Sequence, residues 1–322
     1  MGSSSRSSAF AADAGGAERA RRDLGLHGPL GFRPVKVVAL NEAVPGPRRV
    51  AVGTFDGLHL GHRKVIAGSD TVLTFDPHPV SVVAPQAAPR LLTTLDRKAE
   101  LLESEGVEEL VVIPFDREFA AQEAPAFIDE VLVGRLGAER VAVGENFRFG
   151  HRAAGDTELL SADGRFEVNV EPLLEVDGEV VSSSHIRGLV LGGAVEYAGH
   201  LLGSPFAMSG EVVHGDKRGR ELGFPTANLV PPEGYVVPGH GVYAARANGH
   251  AAAVNVGVRP QFVTGRGELI EAYLIDFDAD IYGQELTIEF LKRLRGERRF
   301  PSVEALVEQM GADVEEARKI AG

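Results

Sequence analysis

Gly53-Thr54-Phe55-Asp56-Gly57-Leu58-His59-Leu60-Gly61-His62 follows the apolar run Val50-Ala51-Val52 and precedes a helix-compatible piece, Arg63 to Ala67. The pattern predicts a strand, a glycine-rich turn and a helix entrance. Two histidines three residues apart share one face of such a helix. Free backbone N–H groups and the helix dipole make an entrance of this kind an anion site. Histidines beside it can donate to phosphate oxygens as charge develops in a transition state. The chain holds 39 glycines, so a glycine-rich turn alone says little. The H-x-G-H spacing directly after a strand says more. Its plain alternative is a structural pair, one histidine capping the turn and one half-buried.

Working outward, residues 35–190 alternate strand-like and helix-like pieces. Val35–Leu40, Val50–Val52, Thr71–Phe75, Glu109–Ile113, Arg140–Val143 and Phe166–Val170 read as buried strands, with helices over Leu95–Glu105 and Pro125–Leu136. This alternation predicts an α/β doubly wound parallel sheet, whose ligands bind beyond the carboxyl ends of the strands. Past Gly192-Gly193 the texture changes. Met208–Val213, Thr226–Leu229, Gly241–Ala247, Ala251–Val256, Leu269–Phe277 and Glu285–Leu294 read as strands separated by Gly- and Pro-rich turns, with a helix over Val303–Ile320. That predicts an all-β barrel or sandwich closed by a C-terminal helix. The expected organisation is a flexible arm at 1–33, an α/β domain at 34–190, a linker at 191–205 and a β domain at 206–322.

Composition narrows the function classes. At 322 residues two domains are expected. A net charge of −13, from 46 acidic and 33 basic residues, argues against non-specific binding to nucleic acid or anionic membranes. Self-association stays open. No apolar run approaches the length of a membrane span. Zero cysteines exclude disulfides, thiolate catalysis and cysteine–zinc sites, and fit a cytoplasmic protein. The arm lacks the apolar core of a signal peptide, and Asp13, Glu18 and Asp23 argue against a transit peptide. Met1-Gly2 resembles a myristoylation start, but Arg6 stands where Ser or Thr is needed.

Three further segments carry chemistry. In Ser182-Ser183-Ser184-His185-Ile186-Arg187, hydroxyls precede an apolar residue and would cap a helix, with Arg187 one turn in and placed to bind phosphate. Val143-Gly144-Glu145-Asn146-Phe147-Arg148-Phe149-Gly150 again follows a strand. It reads equally as a loop contacting a base or second substrate and as a loop whose phenylalanines pack inward. Asp276-x-Asp278-x-Asp280 imitates a calcium loop, but Ile281 replaces the required glycine and Thr287 the bidentate glutamate. A solvated hairpin turn fits better.

Together, G-T-F-D-G-L-H-L-G-H, T-F-D-P-H-P, V-G-E-N-F-R-F-G and S-S-S-H-I-R resemble the adenylyltransferase module of prokaryotic bifunctional riboflavin kinase/FAD synthetases. Gly210–Leu229, G-E-V-V-H-G-D-K-R-G-R-E-L-G-F-P-T-A-N-L, is similar to the riboflavin kinase signature of the same family. Val254–Pro260 and Glu271–Phe277 match in order and spacing, so the resemblance runs from about Val35 to Gly322.

The resemblance implies two reactions, both with ATP as co-substrate and Mg²⁺ as cofactor. The barrel would phosphorylate riboflavin to FMN, and the N-terminal module would join AMP to FMN, giving FAD and pyrophosphate. His59, His62 and Arg187 would stabilise the reacting phosphates, with Gly53, Phe55, Asp56, Gly57, Gly61, Ser183 and Ser184 around the nucleotide. Asp76, Pro77, His78, Asn146, Arg148 and Arg259 would contact flavin. In the barrel, no G-x-x-x-x-G-K-[ST] occurs, so a P-loop is excluded. The resemblance gives the nucleotide there to Gly215, Lys217, Gly219, Arg220, Gly223 and Pro225. Thr226 and Asn228, hard oxygen donors suited to Mg²⁺, become the metal residues. Glu271 becomes the general base for the riboflavin hydroxyl. It should share a strand face with Tyr273 and Ile275, opposite Ile270, Ala272 and Leu274.

The chain departs from the family pattern in two places. Only Arg63 to Asp70 separates His62 from Thr71, room for about two helical turns where the family has a full helix and a loop. Gln261 stands where threonine is usual. The shortened helix leaves an alternative in view: a flavin- or nucleotide-binding regulator, or a kinase-only protein with impaired adenylylation. A nucleotidyltransferase acting on another phosphate ester is a third reading, and G-F-P-T-A-N argues against it.

Overall fold

Six strands pair in parallel in the N-terminal half: β1 (Lys36–Ala39), β2 (Arg48–Val52), β3 (Thr71–Asp76), β4 (Glu109–Pro114), β5 (Ala138–Gly144) and β6 (Glu167–Glu171), in spatial order β1-β4-β3-β2-β5-β6. The computed structural model describes residues 34–215, 223–258 and 268–322; the arm and Lys217, Gly219, Arg220 and Arg259 lie outside them. Both faces of the sheet are covered. Val50 and Val52 pack with Phe127, Ile128, Val131 and Leu132, whereas Ala51 packs with Val65, Ile66 and Leu102. Two-sided burial is why these strands read as continuous apolar runs. From β2 the chain proceeds one way to β3 and β4; from β5 it proceeds the other way to β6. The carboxyl ends of β2 and β5 therefore flank the reversal point, where open α/β sheets form their ligand crevice.

The helices between these strands are α1 (Leu60–Ile66), α2 (Pro79–Val83), α3 (Leu95–Ser104), α4 (Arg117–Ala120) and α5 (Thr157–Ala162). Helix α1 has the expected short form, seven residues or about 10 Å, and the chain turns away at Gly68, with φ +74°. The helix expected over Pro125–Leu136 is α-helical only at Ala124–Ala126 and winds as a π-helix over Phe127–Arg135. Its wider turn, in which Leu136 N–H reaches back to the Val131 carbonyl, buries Phe127, Ile128, Val131 and Leu132 together. A small hairpin, β7 (Glu175–Val176) with β8 (Glu179–Val180), precedes α6 (Ser183–Leu191).

The C-terminal half is a closed antiparallel barrel, β10-β13-β12-β11-β14-β9. Its strands are β9 (Phe206–Val213), β10 (Ala227–Val230), β11 (Gly241–Ala247), β12 (His250–Val258), β13 (Glu268–Leu274) and β14 (Glu285–Arg295). Ile270, Ala272 and Leu274 point inward with Val254, Val256, Ile288 and Phe290. The segment 191–205, expected as a linker, holds helix α7 (Val195–Leu202), and its Val195, Ala198, Leu201 and Leu202 join the barrel's core cluster. Ile186 and Val190 of α6 join the same cluster. Apolar spacing within a short helix does not say which domain it covers, so the sequence left this packing open.

Helix α8 (Val303–Ala321) lies outside the barrel, with Ala317 against Ala244 and Ile275. Asp313, 6% exposed, accepts from Arg295 Nε at 3.0 Å and Nη2 at 2.8 Å. Asp313→Ala leaves the Arg295 guanidinium half-buried without this carboxylate. We expect a loss of about 2 kcal/mol in denaturant unfolding, and an unchanged midpoint would contradict the anchoring role.

Candidate active sites

At the carboxyl end of β2 the chain turns through Phe55 and Leu58, both at positive φ, and through Gly57 at +86°. A Cβ on Gly57 would stand 2.8 Å from Leu92 Cδ1, so both conformation and space require glycine there. Phe55 is 3% exposed and packs edge-on to His62. Its ring belongs to the apolar core. Gly53 and Gly61 lie close against the Phe55 and His59 rings respectively.

His59 caps α1, its Nδ1 accepting the His62 N–H at 3.2 Å, and the two imidazoles stack at 3.6 Å. With Nδ1 accepting, a neutral His59 carries its proton on Nε2. Burial lowers the His59 pKa to about 4. Burial also holds His62 well below its ordinary value, with His59 and Lys98 pushing the same way. Both are thus neutral donors at pH 7. Among the described residues the buried Nδ1 of His62 has no hydrogen-bond partner.

Asp56, 4% exposed, organises the surroundings. Its Oδ1 accepts the backbone N–H of Leu92 at 2.8 Å and of Thr93 at 3.2 Å. Its Oδ2 accepts from Arg187 Nη2 at 3.0 Å, and its carbonyl accepts from Ser183 Oγ at 2.8 Å. Arg187 Nε donates to the Arg90 carbonyl, which leaves Nη1 outside both bonds. Of the three serines, Ser182 caps α6, Ser183 ties it to Asp56 and Ser184 is exposed.

Beside this hub a pocket opens between Asp56, Asp76, His78, Leu91, Lys98 and Tyr235. Pro77 is exposed at its rim, and His78 caps α2, accepting from Val80 N–H. Burial lowers the His78 pKa, opposed by Asp56. Lys98 and Tyr235 were missed by the sequence reading. Lys98 is 7% exposed and donates to the Thr54 carbonyl at 2.6 Å and to Thr74 Oγ1 at 3.2 Å. Burial brings its pKa down to about 8, against Asp56 and Asp76. The signal was present: Lys98 sits between Leu95 and Leu102 on the apolar face of a helix, where a charge needs a reason. Tyr235 had no local signal, because it comes from the barrel half. Asn146 and Arg148 are exposed past the end of β5 and do not line this pocket, while Phe149 packs inward at 6% exposed.

On the barrel, Glu271 faces outward as expected, opposite Asn228 on β10 and Asn255 on β12. Asn255 Nδ2 donates to Glu271 Oε2 at 3.4 Å. Asn228 is 6% exposed, and Gly215 packs so closely on its amide that any Cβ would overlap it. Thr226 is half-buried just before β10, with Gly223 and Pro225 exposed beside it. Phe224 packs edge-on to Tyr273 at 5.5 Å. Asp276, from the rejected calcium loop, pairs with Arg318 of α8.

A doubly wound α/β module with a histidine-marked helix entrance, followed by a closed barrel bearing G-F-P-T-A-N, defines a flavin nucleotidyltransferase–kinase. The FAD synthetase family model matches residues 42–185 and the riboflavin kinase model residues 202–321. Bifunctional riboflavin kinase/FMN adenylyltransferases are 39% identical in Bacillus subtilis, over 83% of this chain and 90% of that one, and 37% identical in Escherichia coli K12, over 85% and 92%. A Streptococcus pneumoniae crystal structure described as a macrolide-efflux protein superposes with TM-score 0.80 at 30% identity, covering 88% of this chain and 99% of that one. The chain belongs to the bifunctional riboflavin kinase/FMN adenylyltransferase family, making FMN from riboflavin and FAD from FMN with ATP as substrate.

The lowered histidines have a consequence for stability. Between about pH 4 and 6.5 the unfolded chain binds protons that folded His59 and His62 refuse, so these residues make stability fall as pH drops through that window. Chemical denaturation across it should show a shallower slope in the His59→Gln/His62→Gln double variant than in the parent. Equal slopes would contradict the assignment.

Proposed function

We propose that the barrel site transfers the γ-phosphate of ATP to riboflavin at Glu271, and that the module spanning 34–190 adenylylates FMN between the His59–His62 turn and Arg187. The alignment of Asn228, Glu271 and Asn255 on adjacent strands carries the kinase half. Glu271 takes the proton from the riboflavin hydroxyl as it attacks phosphorus, and the Asn255 amide orients the carboxylate. The nucleotide phosphates would lie toward Gly215, Gly223 and Pro225; Lys217, Gly219 and Arg220 for the nucleotide and Arg259 for the flavin are assigned by the sequence resemblance alone and lie outside the described residues.

Mg²⁺ suits this edge. Thr226 and Asn228 offer neutral hard oxygens, and Mg²⁺ favours such donors completed by phosphate and water. Among the described residues no cluster of three or more His, Asp or Glu could hold a metal unaided. A cation bound there would supply charge neutralisation on the phosphates.

In the N-terminal half, the neutral His59 and His62 at the α1 entrance would donate to phosphate without the cost of burying a cation. Arg187, held by Asp56, presents its remaining Nη1 edge. These groups stabilise charge on the α-phosphate and departing pyrophosphate, with positioning supplying most of the rate. Gly53, Gly57, Gly61, Ser183 and Ser184 frame the nucleotide; Asp76, Pro77, His78, Asn146 and Arg148 lie toward FMN. The intact turn ahead of a short α1 supports active adenylylation over a binding-only role. No helix among the described residues is long and apolar enough to cross a membrane.

Chromatography of flavins after incubation with riboflavin, ATP and Mg²⁺ should show FMN and FAD together. Glu271→Gln should reduce FMN formation at least a hundredfold while FAD formation from supplied FMN persists. His59→Ala should reverse the pattern. Loss of both activities in a folded Glu271→Gln chain would overturn the two-site assignment.

A further inference from the structure

The pocket beside Asp56 is closed by a residue that the N-terminal half does not own. Tyr235 lies between β10 and β11 of the barrel, yet it lines the pocket with Asp56, Asp76, His78 and Lys98. Its position is fixed from both sides. Leu91 N–H donates to the Gly234 carbonyl at 2.8 Å, and Val236 N–H donates to the Leu91 carbonyl at 2.8 Å. Val236 and Val237 are buried in the barrel's core cluster, so the backbone carrying Tyr235 cannot swing freely. Arg90 pairs with Glu268 of β13 at 3.0 Å, a second tie between the same two regions. On its other side this Arg90–Thr93 strap is the partner of Asp56 and Arg187.

We infer that the adenylylation site is composite, and that Tyr235 of the barrel half is a substrate-contacting wall packing against the planar ring system of a bound substrate. Phe75, Leu91 and Leu95 give the same pocket apolar sides, while Asp56, Asp76, His78 and Lys98 give it polar ones. The lining matches the chemistry of a flat heteroaromatic ring, whose faces are apolar and whose edge hydrogen-bonds; the cavity itself is about 20 Å³, so only an edge of such a ring enters it unless the side chains around it part. Burial, together with Asp76, Asp56 and Asp96, raises the Tyr235 pKa, so the ring meets a bound substrate as the neutral phenol and acts through its face. Isoalloxazine and adenine share this chemistry, and both reach the reaction as substrates. The inference rests on the reading of this pocket as the adenylylation site.

Full-length Tyr235→Ala and Tyr235→Phe separate the possibilities in steady-state FAD synthesis, with FMN and ATP varied in turn. Tyr235→Ala should raise one KM about tenfold, the scale of a lost aromatic stack. A rise for FMN identifies the isoalloxazine, and a rise for ATP identifies adenine. Tyr235→Phe should stay within about threefold of the parent, and riboflavin phosphorylation should be unchanged in both. Unchanged KM values in Tyr235→Ala, equal damage in Tyr235→Phe, or loss of the kinase reaction as well would each overturn the inference. His78→Ala provides the control: if it impairs FAD synthesis while Tyr235→Ala does not, the composite wall alone fails. If neither variant has an effect, the pocket is not the adenylylation site and the reading beneath fails too.

Discussion

The buried carboxylate of Asp56 is the constraint from which the N-terminal site follows. A carboxylate at 4% exposure must recover from the protein the hydrogen bonds it gives up from water. Here two backbone N–H groups and one guanidinium do so. They come from two distant parts of the chain: the strap at residues 92–93 and the first turns of α6. Satisfying one charge thereby brings the turn after β2, the strap and α6 to a common point. The positive φ at Phe55, Gly57 and Leu58 is held in place by the same contacts.

The site manages its remaining charges by suppressing them. Stacked imidazoles 3.6 Å apart could not both be protonated without strong repulsion, and burial keeps both neutral. Lys98 is a partial exception, with a pKa brought down to about 8 beneath the turn. The turn therefore combines one buried cation with neutral N–H donors. That arrangement favours an anion by oriented hydrogen bonds more than by net positive charge, consistent with a chain of formal charge −13.

Much of this was legible in the sequence because its cause is local. Continuous apolar runs marked the parallel strands, since burial on both faces removes alternation. Alternation separated Glu271, Tyr273 and Ile275 from Ile270, Ala272 and Leu274, the set found in the barrel core, and the eight residues Arg63 to Asp70 limited α1. What stayed hidden depends on distant partners. The π-helix over Phe127–Arg135 differs from an α-helix by one residue per hydrogen bond, below what apolar spacing resolves. Helix α7 in the supposed linker takes its place only once the barrel supplies a surface. Phe55 lies within the motif expected around the nucleotide, and the motif gave no sign that its side chain, 3% exposed, packs into the core. Tyr235 carries no motif at all.

The strap at Arg90–Thr93 gives the fusion of two enzymes on one polypeptide a physical meaning. Leu92 is counted in the barrel's apolar core although it lies in the α/β half, and Leu91 borrows hydrogen bonds from the strand connection after β10. The seam between the halves is thus woven from both sides. Gene fission at this seam would not yield two finished proteins: one product would lose a side of its cleft, the other a piece of its interior. The two halves of this chain share packing as well as a polypeptide.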